Sequence, residues 1–226
     1  MGELCAVGFD LDGTLFDHHG SARVAVDDFL RGLGVAPSAE ARRAWFEAEE
    51  KQFERWRVGQ ISFQEQRRQR LRLVLPALGV PAPSAPAELD ELFTVYLGAY
   101  RAAWRAFPDS LELLRSLRSC GFRVGILTNG TEDQQVDKLE VVGLAEEIDV
   151  VCISERIGAQ KPEPLAFATL ARELGVTPDQ CLFVGDNAEQ DVAGALAAGM
   201  SALLVDRSGA HADGISAAVR AALTGR

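Results

Sequence analysis

Four short segments place carboxylates, a lysine and hydroxyl or amide donors where an apolar run stops. Asp10 and Asp12, with Gly13 and Thr14, follow the apolar run at residues 4–9. Thr128-Asn129-Gly130 close the run at 122–127, Lys161-Pro162 lie in the loop after 149–153, and Asp186 and Asp191 follow 180–184. Unpaired charge is expensive inside a strand. Taken alone, Asp-X-Asp-Gly reads equally well as a strand end with an Asx-type turn. Four such ends in phase are hard to explain as turn chemistry, and a parallel sheet would deliver them all to the crevice at its carboxyl edge. There Asp10, Asp12, Asp186 and Asp191 face a single lysine. Their repulsion raises pKa values or costs stability unless a divalent cation sits among them. Oxygen donors that leave room for water and substrate suit Mg2+. With a lysine and hydroxyl or backbone donors, such a site fits a phosphoryl group.

The elements needed to hold these residues are visible as periodicity. Residues 4–9 have the length and composition of a buried strand. Residues 17–21 then read as a polar loop, with Ser21 a plausible helix cap. From about 20 to 103 the pattern is helical throughout, with helices over 22–33, 37–57 and 62–78 and a fourth from about 87. Pro81, Pro83 and Pro86 break the third from the fourth. Beyond Phe107-Pro108, helices at 109–120, 131–142, 163–174, 189–198 and 215–223 alternate with strands at 122–127, 149–153, 180–184 and 201–205. The fold class is therefore α/β: a Rossmann-like parallel sheet with helices on both faces and an inserted helical domain. The expected division is 1–17 with 104–226 as core and 18–103 as insertion. Trp45, Phe46, Phe53 and Trp56 follow helical spacing and read as core of the insertion. Arg67, Arg68, Arg70 and Arg72 read as a solvated helix face.

Composition bounds the partners. The chain has 226 residues, 47% hydrophobic and 25% charged, an ordinary globular balance. A net charge of −10 argues against nucleic acid and anionic membranes but not against small phosphorylated ligands. The four cysteines lack CxxC spacing and read as thiols buried in a reducing compartment, not as zinc ligands or a disulfide framework. The N-terminus has no signal-peptide pattern. Met1-Gly2 begins a myristoylation-like pattern, but Ala6 stands where Ser or Thr is expected. The longest weakly apolar stretch, 192–205, is too short to span a bilayer. The expectation is a cytoplasmic protein, monomer or homodimer, acting on a small phosphorylated metabolite.

Together the segments DLDGT (10–14), ILTNG (126–130), Lys161-Pro162 and GDNAEQD (185–191) resemble the haloacid dehalogenase-like hydrolase superfamily, in the family order and across the core half. The insertion is similar to the helical C1 cap of its subfamily I. The stretches 151–155 and 158–162 are similar to pyrimidine nucleotidases and N-acylneuraminate-9-phosphatases, and 17–23 to the latter. Gln190 departs from the Asn that often precedes the last Asp in the family.

The resemblance implies a role for each residue. Asp10 is the nucleophile that forms an aspartyl-phosphate. Asp12 is general acid, then general base, with its backbone carbonyl on the metal. Dehalogenases, phosphonate-cleaving members and P-type ATPases carry other residues at that place, so Asp12 points to phosphate esters. Thr128, with Asn129 and Gly130, binds the phosphoryl oxygens; Thr128 is alternatively a helix cap, although Thr131 is better placed for that. Lys161 pairs with Asp10 and the transferring group. Asp186, with Asp10 and Asp12, holds Mg2+, and Asp191 holds a metal-bound water or orients Lys161. Asn187 is a supporting residue or merely a turn residue. His18, His19 and Arg23, nearest the hinge in sequence, either set specificity or are exposed loop residues. The implied activity is a phosphatase acting on a nucleoside monophosphate or sugar phosphate. A β-phosphoglucomutase-type phosphomutase and a catalytically silent binding protein are the alternatives.

Overall fold

The computed structural model describes residues 3–225; Met1 and Gly2, where the myristoylation-like pattern begins, lie outside them. Residues through His18 together with those from Trp104 onward form one compact unit, and His19–Ala103 form a second.

The first unit is built on β1 (Ala6–Phe9), β2 (Arg123–Thr128), β3 (Val150–Ile153), β4 (Cys181–Gly185) and β5 (Ser201–Leu204). They form one parallel sheet in the order β3-β2-β1-β4-β5. The strand that opens the chain is thus central, with Phe9 level with Ile126 on one side and Val184 on the other. Every residue of β1 is buried, as a strand covered on both faces requires.

The second unit holds α1 (His18–Gly32), whose first residue belongs to the first unit, α2 (Ala39–Arg57), α3 (Phe63–Ala77) and α4 (Pro86–Ala102). Ser38 and Ser62 cap α2 and α3 by accepting the amide hydrogens of Ala41 and Glu65. Trp45 is fully buried there, with its ring centroid 4.5 Å from Tyr96 and 5.5 Å from Phe29. Phe46, Phe53 and Trp56 are only half-buried.

The remaining helices belong to the first unit: α5 (Ser110–Ser119), α6 (Glu132–Val141), α7 (Ser154–Ile157), α8 (Pro164–Glu173), α9 (Gly194–Ala197) and α10 (Ser216–Thr224). Against one face of the sheet, Phe167, Leu170 and Leu174 cluster with Ala6, Leu127, Cys152 and Phe183.

Four expectations need correction. Residues 18–21 are not a loop: α1 begins at His18, and Ser21 is fully buried within it instead of capping it. The arginines of α3 are not all solvated. Arg70 is buried, lies 2.9 Å from Glu49 Oε1 and stacks over Trp45 and Phe93, while Arg67 lies over Phe63 and Phe93. Aromatic faces and a carboxylate make burial of a guanidinium tolerable. The stretch 189–198 is not one regular helix but a π-helical turn, Ala188–Ala193, followed by α9. Of the thiols, only Cys152 and Cys181 are buried; Cys120 is exposed and Cys5 partly so. Among the described residues no helix is long and apolar enough to cross a membrane.

Two strand glycines explain how closely α8 approaches the sheet. A Cβ on Gly8 would lie 2.6 Å from Leu170 Cδ2 and 2.9 Å from Phe183, and one on Gly125 would lie 2.8 Å from Leu170 Cδ1. Gly8→Val is expected to cost about 1–3 kcal/mol by overpacking, read as a lower urea midpoint. Leu170→Ala in the same chain should recover part of that loss, whereas in the wild type it should only destabilise.

Candidate active site

Strand order brings the ends of β1, β2 and β4 side by side, and the loop after β3 reaches across them. The Asp10 amide extends the ladder by donating to Val184 O at 2.9 Å. The chain then turns at Gly13, where φ is +89° and a Cβ would lie 2.2 Å from Asp186 Oδ2. Only a glycine admits both that conformation and that approach. The loop is tied down from outside: Ser110 Oγ donates to Leu15 O at 2.8 Å, and Arg207 Nε to Thr14 O at 2.9 Å.

Lys161 sits at the centre. It is 3% exposed, and its Nζ lies 2.5 Å from Asp10 Oδ1 and 2.6 Å from Asp191 Oδ1. Asp10 and Asp191 are themselves 6% and 1% exposed. The loop that carries Lys161 is pinned by Asn129. Its side-chain amide donates to Lys161 O at 3.0 Å and its Oδ1 accepts the Lys161 amide hydrogen at 2.9 Å. Asp191 is placed by the π-helical turn, and its Oδ2 accepts from the Asn187 amide at 2.9 Å. The Asn187 side chain caps that turn, accepting from Glu189 and Gln190, which is the turn role and not a contact with the carboxylates. Gly130 donates its amide hydrogen to Ser154 Oγ at 3.0 Å, so that donor is already engaged. Thr131 stands at the N-cap position of α6 without a side-chain capping bond.

Asp12 points elsewhere. Lys138 Nζ lies 2.6 and 2.8 Å from its two carboxylate oxygens, and Gln135 Nε2 lies 3.1 Å from Oδ2. The same Gln135 nitrogen donates to Thr128 Oγ1 at 3.0 Å and to Asn129 O at 3.2 Å. By accepting there, the Thr128 hydroxyl keeps its own hydrogen for another partner. His18 Nδ1 lies 4.0 Å from Asp12 Oδ1. His19 and Arg23 belong to the helical unit and are exposed; His19 rests against Phe46, with ring centroids 4.5 Å apart.

Gln135 and Lys138 were not singled out in the sequence. The signal was the inward stripe of α6, where the buried residues are Gln135, Lys138 and Leu139. Polar residues on the face that Leu139 marks as buried must have polar partners.

The charges differ in environment. Burial pushes the Asp10 carboxyl well above its ordinary range, and the nearby Asp191 and Asp186 add to this against the pull of Lys161. Asp186, although the residue is exposed overall, rises to about 6 through desolvation of its carboxyl group and the nearby Asp191. Burial opposes the charge on Asp12 too, but Lys138 and His18 hold it down at about 2. Burial also works against the charge on Lys161, yet Asp10 and Asp191 keep it charged well above the usual lysine range. One oxygen each from Asp10, Asp186 and Asp191 lies within 4.8 Å of the others. Three carboxylates against one lysine are short of positive charge, and hard oxygen donors at this spacing could hold a metal ion.

Residues 6–199 match the family described as haloacid dehalogenase-like hydrolase. The chain belongs to that family. It is 30% identical to the glyceraldehyde 3-phosphate phosphatase of Methanopyrus kandleri over 202 residues, 89% of this chain and 84% of that one. Phosphatases of other small phosphate esters are among its further relatives. In fold it is similar to the HAD-hydrolase YfnB of Bacillus subtilis, with a TM-score of 0.79 at 18% identity over 92% of this chain and 91% of that one. It is also similar to the L-2-haloacid dehalogenase of Xanthobacter autotrophicus, with a TM-score of 0.69 at 27% identity over 92% and 79%.

Removing Lys161 should expose the cost of its partners. Lys161→Met is expected to lose about 3–5 kcal/mol at pH 7 in metal-free buffer, because two buried carboxylates lose their counter-charge. Lys161 pulls the Asp10 and Asp186 carboxyls down against burial, so without it their folded pKa values should rise further above the unfolded ones than in the wild type, and the variant's folded state binds more protons as the pH falls. Acidification from pH 7 to pH 5 therefore favours folding through these groups, and part of the loss should return. Urea unfolding at the two pH values measures this; an equal loss at both would mean that carboxylate repulsion is not the cause.

Proposed function

We propose that this hydrolase is a Mg2+-dependent phosphatase that releases phosphate from a small phosphomonoester through an aspartyl-phosphate on Asp10. The observation that carries the reading is the separation of the two aspartates of the first motif. Asp10 is paired with Lys161 beside Asp191, and Asp12 is paired with Lys138. A nucleophile and a proton carrier need such different environments. A dehalogenating member has no alkoxide to protonate, and the presence of Asp12 favours phosphate ester chemistry over that reading.

The proposed steps assign the two aspartates different parts. An Asp10 carboxylate oxygen attacks phosphorus while the bond to the leaving oxygen breaks, and Asp12 gives that oxygen a proton. Water then attacks the same phosphorus, Asp12 takes the water proton, and the aspartyl oxygen departs, which restores Asp10 and frees phosphate. At neutral pH the resting Asp12 is ionised, the form required in the second half; the proton it delivers in the first half is taken from solvent as the dianionic substrate binds and raises its proton affinity. The Lys161 ammonium and the Thr128 hydroxyl would balance charge on the phosphoryl oxygens. Asp10, Asp186 and the Asp12 backbone carbonyl would hold Mg2+, with Asp191 in support, and the ion would supply further charge neutralisation at the phosphoryl group. The helical unit is proposed as the cap that selects substrate, with His18, His19 and Arg23 as candidate specificity residues. A nucleoside monophosphate or sugar phosphate is the proposed substrate class.

Phosphate release should appear in a screen of nucleotides, sugar phosphates and acidic sugar phosphates. Chelation should abolish it and added Mg2+ restore it. Asp10→Asn should fold and lose at least about a thousandfold in kcat. Turnover of that variant at the wild-type rate would refute the nucleophile, and isomerised sugar phosphate without release would favour the mutase.

A further inference from the structure

Lys138 is buried to the same degree as Lys161, at 3% exposure, yet serves a different carboxylate. It reaches Asp12 from α6, an element that supplies none of the family-motif residues. Both Asp12 oxygens receive it, at 2.6 and 2.8 Å, and its Nζ also lies 4.9 Å from the Phe16 ring centroid. One turn earlier Gln135 adds a third bond to the same carboxylate and ties it to Thr128 and Asn129. Gln135 cannot shift freely: Gly130 packs so tightly that a Cβ there would lie 2.8 Å from Gln135 Nε2. A surface lysine would gain little from an exposed carboxylate. Here a buried ammonium and a crowded amide converge on one side chain, as supporting residues must when a reacting group is held to a fraction of an ångström.

We propose that Lys138, assisted by Gln135, is a positioning residue that fixes the Asp12 carboxyl group for proton transfer to the leaving oxygen. The proposal rests on the phosphatase reading above. It also gives the two aspartates separate lysines: Lys161 attends the nucleophile, and Lys138 attends the proton carrier.

The discriminating readout is leaving-group dependence. An alkyl phosphate needs its departing oxygen protonated, whereas p-nitrophenolate leaves without help. Lys138→Met should lower kcat/KM for an alkyl phosphomonoester roughly 30- to 100-fold, the scale of a small misplacement of a reacting group. For p-nitrophenyl phosphate the fall should be under about threefold, since protonation of the leaving group contributes little there. Lys138→Arg should restore most of the alkyl activity. Asp12→Asn is the control and should show the same bias more strongly. Equal losses on both esters, or no loss on either, in a folded Lys138→Met protein would overturn the proposal. If that variant does not fold, Gln135→Leu carries the test, with the same bias expected and its absence decisive. If the wild type cleaves neither ester, the phosphatase reading itself fails and the proposal falls with it. If Asp12→Asn shows no bias, the proton-carrier assignment fails instead, and the proposal again falls.

Discussion

Lys161 carries one positive charge into a crevice where Asp10 and Asp191 both lie within 2.6 Å of it. All three groups are almost wholly removed from water, so none is tolerable without the others. The surrounding structure serves that arrangement. Asn129 clamps the Lys161 loop through two backbone bonds, and the π-helical turn after β4 aims Asp191 back across the strand ends. The contact between Gly13 and Asp186 brings a third carboxylate alongside. Such a cluster remains short of positive charge, a deficit that a divalent metal ion would fill.

The sheet topology makes the cluster possible. Because β1 lies between β2 and β4, the residues just beyond three adjacent strands fall within reach of each other, although they are far apart in the chain. The same topology puts α6 directly after β2. Its buried stripe then reaches Asp12 and gives that carboxylate a lysine of its own. Two residues apart in sequence, Asp10 and Asp12 acquire opposite electrostatic settings, one pushed up by burial and neighbouring acids, the other held at about 2 by Lys138 and His18 against the cost of its own burial.

Much of this was legible before the fold. Strand positions were marked by short apolar runs, and the polar residues now found clustered at the carboxyl edge of the sheet were marked by the breaks that end those runs. What was illegible had specific causes. Gln135 and Lys138 sit in a helix rich in polar residues, where a single buried stripe is hard to separate from a solvated face. Arg70 looked like one more surface arginine, because its partners Glu49 and Trp45 come from another helix. The start of α1 at His18 was hidden because Gly20 and Ser21 have weak helical preference and are held in the helix by burial. The π-helical turn gives no periodic signal at all, yet it sets the direction of Asp191.

If a carboxylate oxygen of Asp10 attacks phosphorus, Asp10 carries an acyl phosphate during turnover. Rapid quenching of the enzyme with substrate, followed by borohydride reduction and peptide mass spectrometry, tests it directly, since reduction converts an acyl phosphate on aspartate to homoserine. Homoserine is expected at position 10 in a turnover-dependent amount, and none at position 12. Modification at Asp12, or steady phosphate release with no trapped residue at position 10, would contradict it.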